Sequence, residues 1–339
     1  MKAQRLPSGS WRVRTCVAGV RRSFTATTKR EAEMLAAQYI ARGELDEKSG
    51  PTVARALADY IDNRAAVISP STLKAYRALQ RTAYDGIGGK RVAALTSADV
   101  QAFVSAYAAD HSPKSVRNAH ALLLGALRSA RPGFAPDVRL PQPVRPNIHT
   151  PGENDVAALL DHIKDRDPVL YAATLLGAFG PLRRGEVCAL TGADVDLQAG
   201  TVTVRRNMVA GPGNVLTVKQ PKTAAGYRVI RFPAEILQQL PRVAPDERLV
   251  PLTPGALSKR FKQAARACGL PDVHFHGLRH FGASVLHAWG VPDVYILQRG
   301  GWSSDYVMKR VYRDAMDDTA ARVADQINAD ISSRFFSGS

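Results

Sequence analysis

Residues 274–280 read His-Phe-His-Gly-Leu-Arg-His. On an α-helix, positions i and i+3 lie on the same face, so the side chains of His276 and Arg279 can reach one point together. Three histidines within seven residues also invite a metal-site interpretation. The stretch lacks both the glutamate and the spacing of the usual zinc-binding helix, so we expect no metal. The motif predicts a helix that presents one histidine and one arginine together.

A second cluster lies upstream, where residues 180–190 read Gly-Pro-Leu-Arg-Arg-Gly-Glu-Val-Cys-Ala-Leu. Here an arginine at a transition from loop to helix is followed by an acidic residue, Glu186, and then by an apolar run. Arg183 and Arg184 compete for the functional position. Taken alone, the pattern fits a structural salt bridge equally well.

A third cluster, residues 219–231, reads Lys-Gln-Pro-Lys-Thr-Ala-Ala-Gly-Tyr-Arg-Val-Ile-Arg. β-Branched, alternating residues predict strands at 201–205, 215–219 and 227–232. The last two form a predicted hairpin whose turn, Thr223 to Gly226, presents Lys222 at its tip. An ordinary surface lysine is the alternative interpretation.

The fourth cluster, residues 300–313, reads Gly-Gly-Trp-Ser-Ser-Asp-Tyr-Val-Met-Lys-Arg-Val-Tyr-Arg. It contains Trp302, Tyr306 and Tyr312, and packed aromatic side chains are the default interpretation. Beyond it, Ala321, Val323, Ile327 and Ile331 have the spacing of an amphipathic helix over 317–331, which either docks on another protomer or packs on its own core.

Composition favours a polyanionic partner. The 339 residues include 46 Lys+Arg against 30 Asp+Glu, for a net charge of +16, and nucleic acid is the commonest partner of so basic a protein. A basic protein without such a partner is the alternative. The cysteines, Cys16, Cys188 and Cys268, are too far apart in the chain for a zinc motif or a disulfide framework, which fits a reducing cytosol. With no signal peptide and no apolar run of the ~18 residues that span a bilayer, we expect a soluble intracellular protein.

The first part of the chain is strongly basic, with eight Lys or Arg and no acidic residue among residues 1–30. Alternation over 11–17 and 20–25 predicts a β-hairpin with arginines on its solvent face, followed by a helix from about Lys29 to Arg42 with Thr27 or Thr28 as N-cap. Such a sheet can contact DNA or simply cap the next domain. The candidate DNA-contacting residues are Arg12, Arg14, Arg21 and Arg22.

Residues 43–51 are polar and acidic and are predicted to form a linker. Capping signals at Ser69, Thr96 and Ser112 then predict an all-helical segment over 52–131. Five prolines over 132–148 predict a second, extended linker. Residues 149–339 combine helices with one short sheet, so the predicted fold class is mainly α with small β-sheets (α+β).

Taken in chain order, the four clusters resemble the tyrosine recombinases of the phage integrase family. The resemblance implies a three-domain architecture: an arm-type DNA-binding domain at 1–48, a helical core-binding domain at 52–131, and, after the 132–148 linker, a catalytic domain at 149–339. It implies paired arginines Arg183 and Arg279, with Arg183 preferred over Arg184 because it directly follows the Gly-x-Leu motif, three residues before the acid. The other implied site residues are His276, Lys222, Trp302, the supporting Glu186 and the nucleophile Tyr312.

Two features depart from the common family pattern. Trp302 stands where most members carry a second histidine; its indole N–H can donate a hydrogen bond but cannot shuttle a proton. The interval from Trp302 to Tyr312 is one residue longer than expected, and Tyr306, only four residues after Trp302, is the weaker candidate nucleophile.

The resemblance implies DNA cleavage and rejoining through a 3′-phosphotyrosine, used to integrate or excise a phage or mobile element in the bacterial cytoplasm. The implied partners are double-stranded DNA at core and arm-type sites, further copies of the chain in a tetramer, and accessory proteins that bend DNA or set direction; no cofactor is required. Two rivals remain: a non-catalytic DNA-binding protein with this fold, and a monomeric topoisomerase-like enzyme that relaxes supercoils.

Overall fold

The computed structural model describes residues 3–17, 20–144, 149–220 and 226–302. The chain divides near residue 145 into two compact units, with Gly211–Gly213 grouped with the first. Both contain helices, and all the sheets are small and antiparallel, so the α+β fold class is confirmed. None of the helices in these ranges combines the length and apolar character that crossing a lipid bilayer requires.

The first unit begins with a three-stranded sheet. Its strands are β1 (Ala3–Arg5), β2 (Trp11–Val17) and β3 (Val20–Ala26), with β2 in the centre, and the helix α1 (Lys29–Ser49) follows. The predicted hairpin strands are confirmed, and the Thr28 hydroxyl accepts a hydrogen bond from the Glu31 amide at 3.2 Å. The linker predicted at 43–51 is wrong over most of its length, because α1 continues to Ser49. Glutamate, leucine and lysine favour helix strongly enough to offset the single Gly43.

The predicted helical segment is confirmed. Thr52, Ser69, Thr96 and Ser112 each cap a helix by accepting a hydrogen bond from a backbone N–H three residues on. Buried aliphatic side chains of the first and last long helices form much of the core. The helices are α2 (Val53–Asp62), α3 (Pro70–Thr82), α4 (Asp85–Gly88), α5 (Ser97–Ala108) and α6 (Pro113–Ala130).

The proline-rich segment is extended, as predicted, but its described part is bound to the surface of the first unit. Residues 132–144 contain neither helix nor strand. The Arg139 amide donates to Gln101 Oε1 at 2.8 Å, and Arg117 Nη2 donates to the Pro141 carbonyl at 2.9 Å. Phe134, Val138 and Leu140 pack against the helical core, so this stretch belongs to the surface of the first unit.

The second unit surrounds a buried apolar helix with further helices and two small sheets. The central helix is α8, and eight of its twelve residues are buried. The helices are α7 (Glu153–Lys164), α8 (Pro168–Phe179), α9 (Arg184–Val187), α10 (Ala234–Gln238), α11 (Pro254–Ala267), α12 (Phe275–Ala288) and α13 (Asp293–Gly300). The strands are β4 (Val195–Asp196), β5 (Thr201–Val204), β6 (Asn207–Ala210), β7 (Leu216–Lys219) and β8 (Arg228–Arg231).

The three predicted strands exist, but the predicted hairpin between the last two is wrong. Strand β7 pairs with β6, whereas β8 pairs with β5 in the sheet β4-β5-β8. The unpredicted strand β6 is the nearer partner for β7, since a short turn with Gly213 and Asn214 at positive φ joins them. The residues between β7 and β8 therefore connect two sheets.

Small residues bring α12 close to α8. A Cβ added at Gly282 would lie 2.2 Å from the Ala178 carbonyl oxygen, and one added at Gly177 would lie 3.0 Å from the Phe275 ring. Contacts this close leave no room for a side chain. The packing fixes the first turns of α12, which carry His276 and Arg279, beside the loop that leads into α9.

Candidate active site

Arg183 caps the short helix α9 and is held by Glu186. One carboxylate oxygen of Glu186 accepts from the Arg183 backbone N–H at 2.8 Å, and the other accepts from Arg183 Nη1 at 2.7 Å. Arg183 Nη2 donates to the Gly301 carbonyl at 2.7 Å. Arg184 turns elsewhere, since its Nη1 donates to Ser258 Oγ at 2.6 Å. Of the two candidate arginines, Arg183 is the one with a hydrogen bond to the segment that carries Trp302 among the described residues.

Arg279 is the most deeply buried cation of the site, with 1% of its surface exposed. Its Nη1 donates to the carbonyls of Pro181 and Gly300. Its Nη2 is buried and has no hydrogen-bond partner among the described residues. Burial, with the charge of Arg183 next in importance, holds the pKa of Arg279 well below its ordinary value. Guanidinium nevertheless stays charged in proteins, so an unpaired donor on a buried cation is a site that an anion would stabilise.

Trp302 stacks on that guanidinium, with Arg279 Cζ 3.7 Å from the ring centroid. The indole also lies against Gly300, where an added Cβ would be only 1.8 Å from the ring. Gly301 ends α13 in the left-handed region, at φ 66°, and lets the chain turn there. These contacts place Trp302, predicted from the sequence, beside Arg279.

His276 and His280 lie one helical turn apart, with ring centroids 4.9 Å apart and planes nearly perpendicular. His276 is exposed, whereas His280 is 4% exposed and its buried Nδ1 has no partner among the described residues. Although part of the His276 side chain is exposed, shielding of the rest of its ring from water, followed by the charges of Arg279, Arg183 and Arg184, lowers its pKa. Burial, with His276 and Arg279, lowers the pKa of His280 to about 4. Both rings are therefore neutral near pH 7, and His276 is able to accept a proton.

Arg228, which the sequence did not single out, is the second arginine that pairs with Glu186. Its side chain is 5% exposed, and its Nη2 lies 2.8 Å from Glu186 Oε2. Burial raises the pKa of Glu186, but the hydrogen bond and charge of Arg228, together with Arg183, outweigh it and lower that pKa. The only signal in the sequence is the alternation along β8, which puts the basic Arg228 on the same face as Ile230. In the structure this face points inward. Alternation alone does not tell which face is inward.

The C-terminal end of α13 receives an arginine at each of three successive carbonyls. Arg228 Nε donates to the carbonyl of Arg299 at 2.8 Å, Arg279 donates to that of Gly300, and Arg183 donates to that of Gly301 at 2.7 Å. Carbonyls at a helix C-terminus lack partners within the helix and carry partial negative charge. Cations are therefore favourable there, and the three contacts gather three distant arginines at one point.

Several predicted features lie outside the described residues. They include Lys222, Tyr306, Tyr312 and the C-terminal helix predicted over 317–331. Among the residues that the structure does describe, no three His, Cys, Asp or Glu side chains are grouped so that they could hold a metal ion.

The four arginines predicted to contact DNA do not share one face of the N-terminal sheet. Arg12 and Arg14 flank Val13 in β2, and Arg21 pairs with Cys16, which alternates in the same phase. All three arginines therefore lie on the face away from Val13, although Arg12 is only half-exposed. Arg22 pairs with Thr15 and falls on the same face as Val13, so its predicted placement with the others is wrong. It is nevertheless exposed, because it lies near the end of the hairpin, two residues from Val20.

Comparison with known proteins places this site in a family. Residues 152–318 match the family model described as "Phage integrase family". A protein named putative prophage phiRv2 integrase from Mycobacterium tuberculosis strain H37Rv is 32% identical over 161 residues, which cover 43% of this chain and 43% of that protein. A protein named tyrosine recombinase XerC-like from Caldanaerobacter subterraneus is 24% identical over 189 residues, covering 46% and 48% of the two chains. The chain thus spans less than half the length of these curated relatives.

Two solved structures share the fold. The Tn1549 transposon integrase in complex with transposon right end DNA superposes with a TM-score of 0.64 at 18% identity, covering 82% of this chain and 99% of that one. A lambda integrase tetramer bound to a Holliday junction superposes with a TM-score of 0.58 at 16% identity, covering 91% and 94%. Residues 152–318 of this chain therefore form a segment of the phage integrase family.

Proposed function

We propose that the protein is a site-specific DNA recombinase that cleaves and rejoins DNA through a covalent bond between Tyr312 and a phosphate. The main support for the proposal is the buried guanidinium of Arg279 beside Arg183, because Arg279 Nη2 has no hydrogen-bond partner within the described part of the chain. A phosphodiester supplies oxygens that such donors bind, and guanidinium groups bind phosphate in a planar, two-pronged geometry. The family membership of residues 152–318 agrees with this ligand.

In the proposed reaction, the Tyr312 hydroxyl attacks phosphorus and the bond to the 5′-oxygen breaks. The products are a 3′-phosphotyrosine and a free 5′-hydroxyl, and the reverse attack by a 5′-hydroxyl restores the DNA. A phenol has a pKa near 10 and needs a base. His276, which is neutral near pH 7, accepts the phenolic proton, and Lys222 donates one to the leaving oxygen. One phosphodiester is exchanged for another ester, so no external energy source is needed.

The arginines stabilise the charge that develops during attack. Arg183 and Arg279 bind the non-bridging oxygens of the pentavalent transition state, and Trp302 adds a neutral N–H donor. Donors held in place before the reaction lose little free energy by reorganising. Glu186 serves this step by fixing Arg183, to which it is bonded through two oxygens.

The proposed partners follow from the chemistry. Exchanging two duplexes requires four strand cuts, and each chain offers one nucleophile, so four copies assemble on DNA. We assign contacts with arm-type sites to residues 1–48, contacts with core sites to 52–131 and catalysis to 149–339. The proposed location is the bacterial cytoplasm, in association with the nucleoid. DNA-bending or directionality proteins act with this assembly when the sites are distant.

The proposal is tested with a nicked DNA substrate whose cleaved strand loses a short fragment, so that the covalent complex cannot be resealed. The sequence comes from the junctions of the mobile element that flank the gene. We expect the native chain and the Tyr306→Phe control to form a covalent complex that resists detergent, and Tyr312→Phe to form none.

Two outcomes would favour the rivals. Tight, specific DNA binding by the native chain without any covalent complex would indicate a non-catalytic DNA-binding protein. Relaxation of supercoiled plasmids that lack the site, without strand exchange, would indicate a topoisomerase-like enzyme.

A further inference from the structure

Arg228 occupies an unusual place for a charged side chain. It lies on the inward face of β8, next along that face to Ile230, and 6% of its surface is exposed. Burying a cation is costly unless it is paired and its N–H groups are satisfied. A neighbouring carboxylate alone would pair the charge but would satisfy only some of the five N–H groups of the guanidinium.

The contacts of Arg228 reach two distant segments as well as its own. Its Nη2 and Nη1 lie 2.8 and 3.3 Å from the two oxygens of Glu186, on α9. Its Nε donates to the Arg299 carbonyl at 2.8 Å, at the end of α13. Its Nη1 also lies 3.5 Å from the carbonyl of Gly226, four residues after Lys222 in the chain. One side chain thus joins the helix capped by Arg183 and the helix end before Trp302 to the strand that carries it.

We propose that Arg228 is a positioning residue that aligns Arg183 through Glu186 and fixes the end of α13 through the Arg299 carbonyl. This inference rests on the proposed function, because what is positioned is the pair of phosphate-binding arginines. We do not place Arg228 itself on the DNA, because each of its three nitrogens already contacts an oxygen of the protein.

The coupling to Arg183 works through the charge of Glu186. The charged groups around that carboxylate are Arg183, Arg228 and the nearby Arg279. Burial alone would raise its pKa, and Arg228 is the largest of the opposing influences. Without Arg228, the carboxyl group takes up a proton more readily, and a protonated carboxyl is a poorer acceptor for the guanidinium and the backbone N–H of Arg183.

The first test measures covalent-complex formation by Arg228→Gln and Arg228→Lys under single-turnover conditions. For Arg228→Gln we expect a rate about 100-fold lower at pH 7, the usual cost of disturbing one preorganised donor. The rate should recover as the pH rises, because Glu186 then ionises, whereas the native rate should not share that recovery. Arg228→Lys, which keeps the charge but not the fork, should regain part of the rate.

The matched control is Arg206→Gln. Arg206 also binds a buried carboxylate of the same unit, that of Asp194, but its described side-chain contacts are Thr191 and Asp194 only. We expect it to leave the rate per folded molecule within about twofold of native. The double variant Glu186→Gln/Arg228→Gln should lose the pH-dependent recovery and should be slower than Glu186→Gln by less than the loss seen in Arg228→Gln alone, because only the contact with the Arg299 carbonyl remains to be lost and interacting residues are non-additive.

Equal, pH-independent losses in Arg228→Gln and Arg206→Gln, or additive losses in the double variant, would overturn the positioning role. A native chain that forms no covalent complex would refute the recombinase proposal instead. The Arg228–Glu186 link is then tested without DNA, by urea unfolding between pH 5 and 8. If the Glu186 pKa is raised in Arg228→Gln, the free energy of unfolding of that variant should decrease as the pH rises. This decrease should be absent from the double variant. Identical pH profiles for the two variants would exclude the link.

Discussion

Two buried carboxylates of the second unit look alike locally and differ in reach. Glu186 Oε2 accepts from the Arg183 amide at 2.8 Å and Asp194 Oδ2 accepts from the Thr191 amide at 2.9 Å, so each closes a helical first turn. Each also binds two arginines. The two clusters differ in how far apart in the sequence the contacting residues are and in which segments the arginines contact.

The Asp194 cluster is local. Its arginines, Arg205 and Arg206, follow it by 11 and 12 residues, remain 43% and 33% exposed, and tie a turn to the end of a strand. The Glu186 cluster is not local: Arg228 is 42 residues away and Arg183 reaches Gly301, 118 residues away. The same pairing chemistry stabilises a turn in one place and assembles a site in the other, so long-range contacts, rather than burial of an acid, distinguish the functional cluster.

The largest expected effect is at Arg279. Arg279→Lys keeps a charge but cannot reach the Pro181 and Gly300 carbonyls and a phosphate together, because lysine lacks the planar fork. We expect covalent-complex formation to fall at least about 1000-fold, the upper range for losing one transition-state donor. Rapid-quench assays on the nicked substrate measure it. Arg206→Lys is the control, and a similar loss there would remove the distinction between the clusters.

Exchanging each acid for its amide should affect the reaction at Glu186 and the stability of the fold at Asp194. Glu186→Gln should slow covalent-complex formation about 100-fold through Arg183. Asp194→Asn should instead lower the free energy of unfolding by about 1–2 kcal/mol, a range discounted because its arginines are partly exposed, with the rate per folded molecule unchanged. Urea unfolding and single-turnover assays on both proteins measure the two effects. A reversed pattern would contradict the assignment.

His280, on the Glu186 side of the second unit, should make the free energy of unfolding sensitive to acid. Its pKa is about 4 in the folded chain against about 6.5 when unfolded, so the unfolded state binds the extra proton first. Its contribution is complete above pH 6.5 and is lost as the pH falls toward 4. We expect about 2.5 kcal/mol of its contribution to be lost between pH 7 and 4.5. Urea unfolding at both values should show that His280→Phe lacks this component; an unchanged pH dependence would refute it.

The smallest expected effect is at Arg184. Its described contact is the hydroxyl of Ser258, and the side chain is exposed. Arg184→Ala should change the rate of covalent-complex formation by no more than about twofold, as is usual for surface substitutions. The same single-turnover assay, with Arg183→Ala as the slow comparison, measures it. A loss equal to that of Arg183→Ala would show that the two neighbouring arginines had been assigned in the wrong order.

What the sequence predicted well was local. The capping hydroxyls of Ser69, Thr96 and Ser112 mark helix starts because each bonds a backbone N–H three residues away. The proximity of His276 and Arg279 follows from helical periodicity alone. The pairing of Arg183 with Glu186 is likewise a contact between near neighbours.

What it missed depends on tertiary structure. Strand β7 pairs with β6, a strand that the alternation of residue types did not predict. The predicted pairing of β7 with β8, with Lys222 in the turn between them, does not form. Arg228 is identified as inward-facing only once β8 pairs with β5. The helix α1 crossed a glycine and three acidic residues that had indicated a linker, because no proline there ends it.

The convergence of these side chains on one phosphate is tested most directly by a structure of the Tyr312→Phe variant bound to its DNA site. We expect Arg183 and Arg279 Nη2 to lie within about 3 Å of the non-bridging oxygens of the scissile phosphate, with the ring of residue 312 facing the phosphorus and the Lys222 amine near the 5′-oxygen. A phosphate bound elsewhere, with Arg279 Nη2 still unpaired and residue 312 remote from it, would contradict the account.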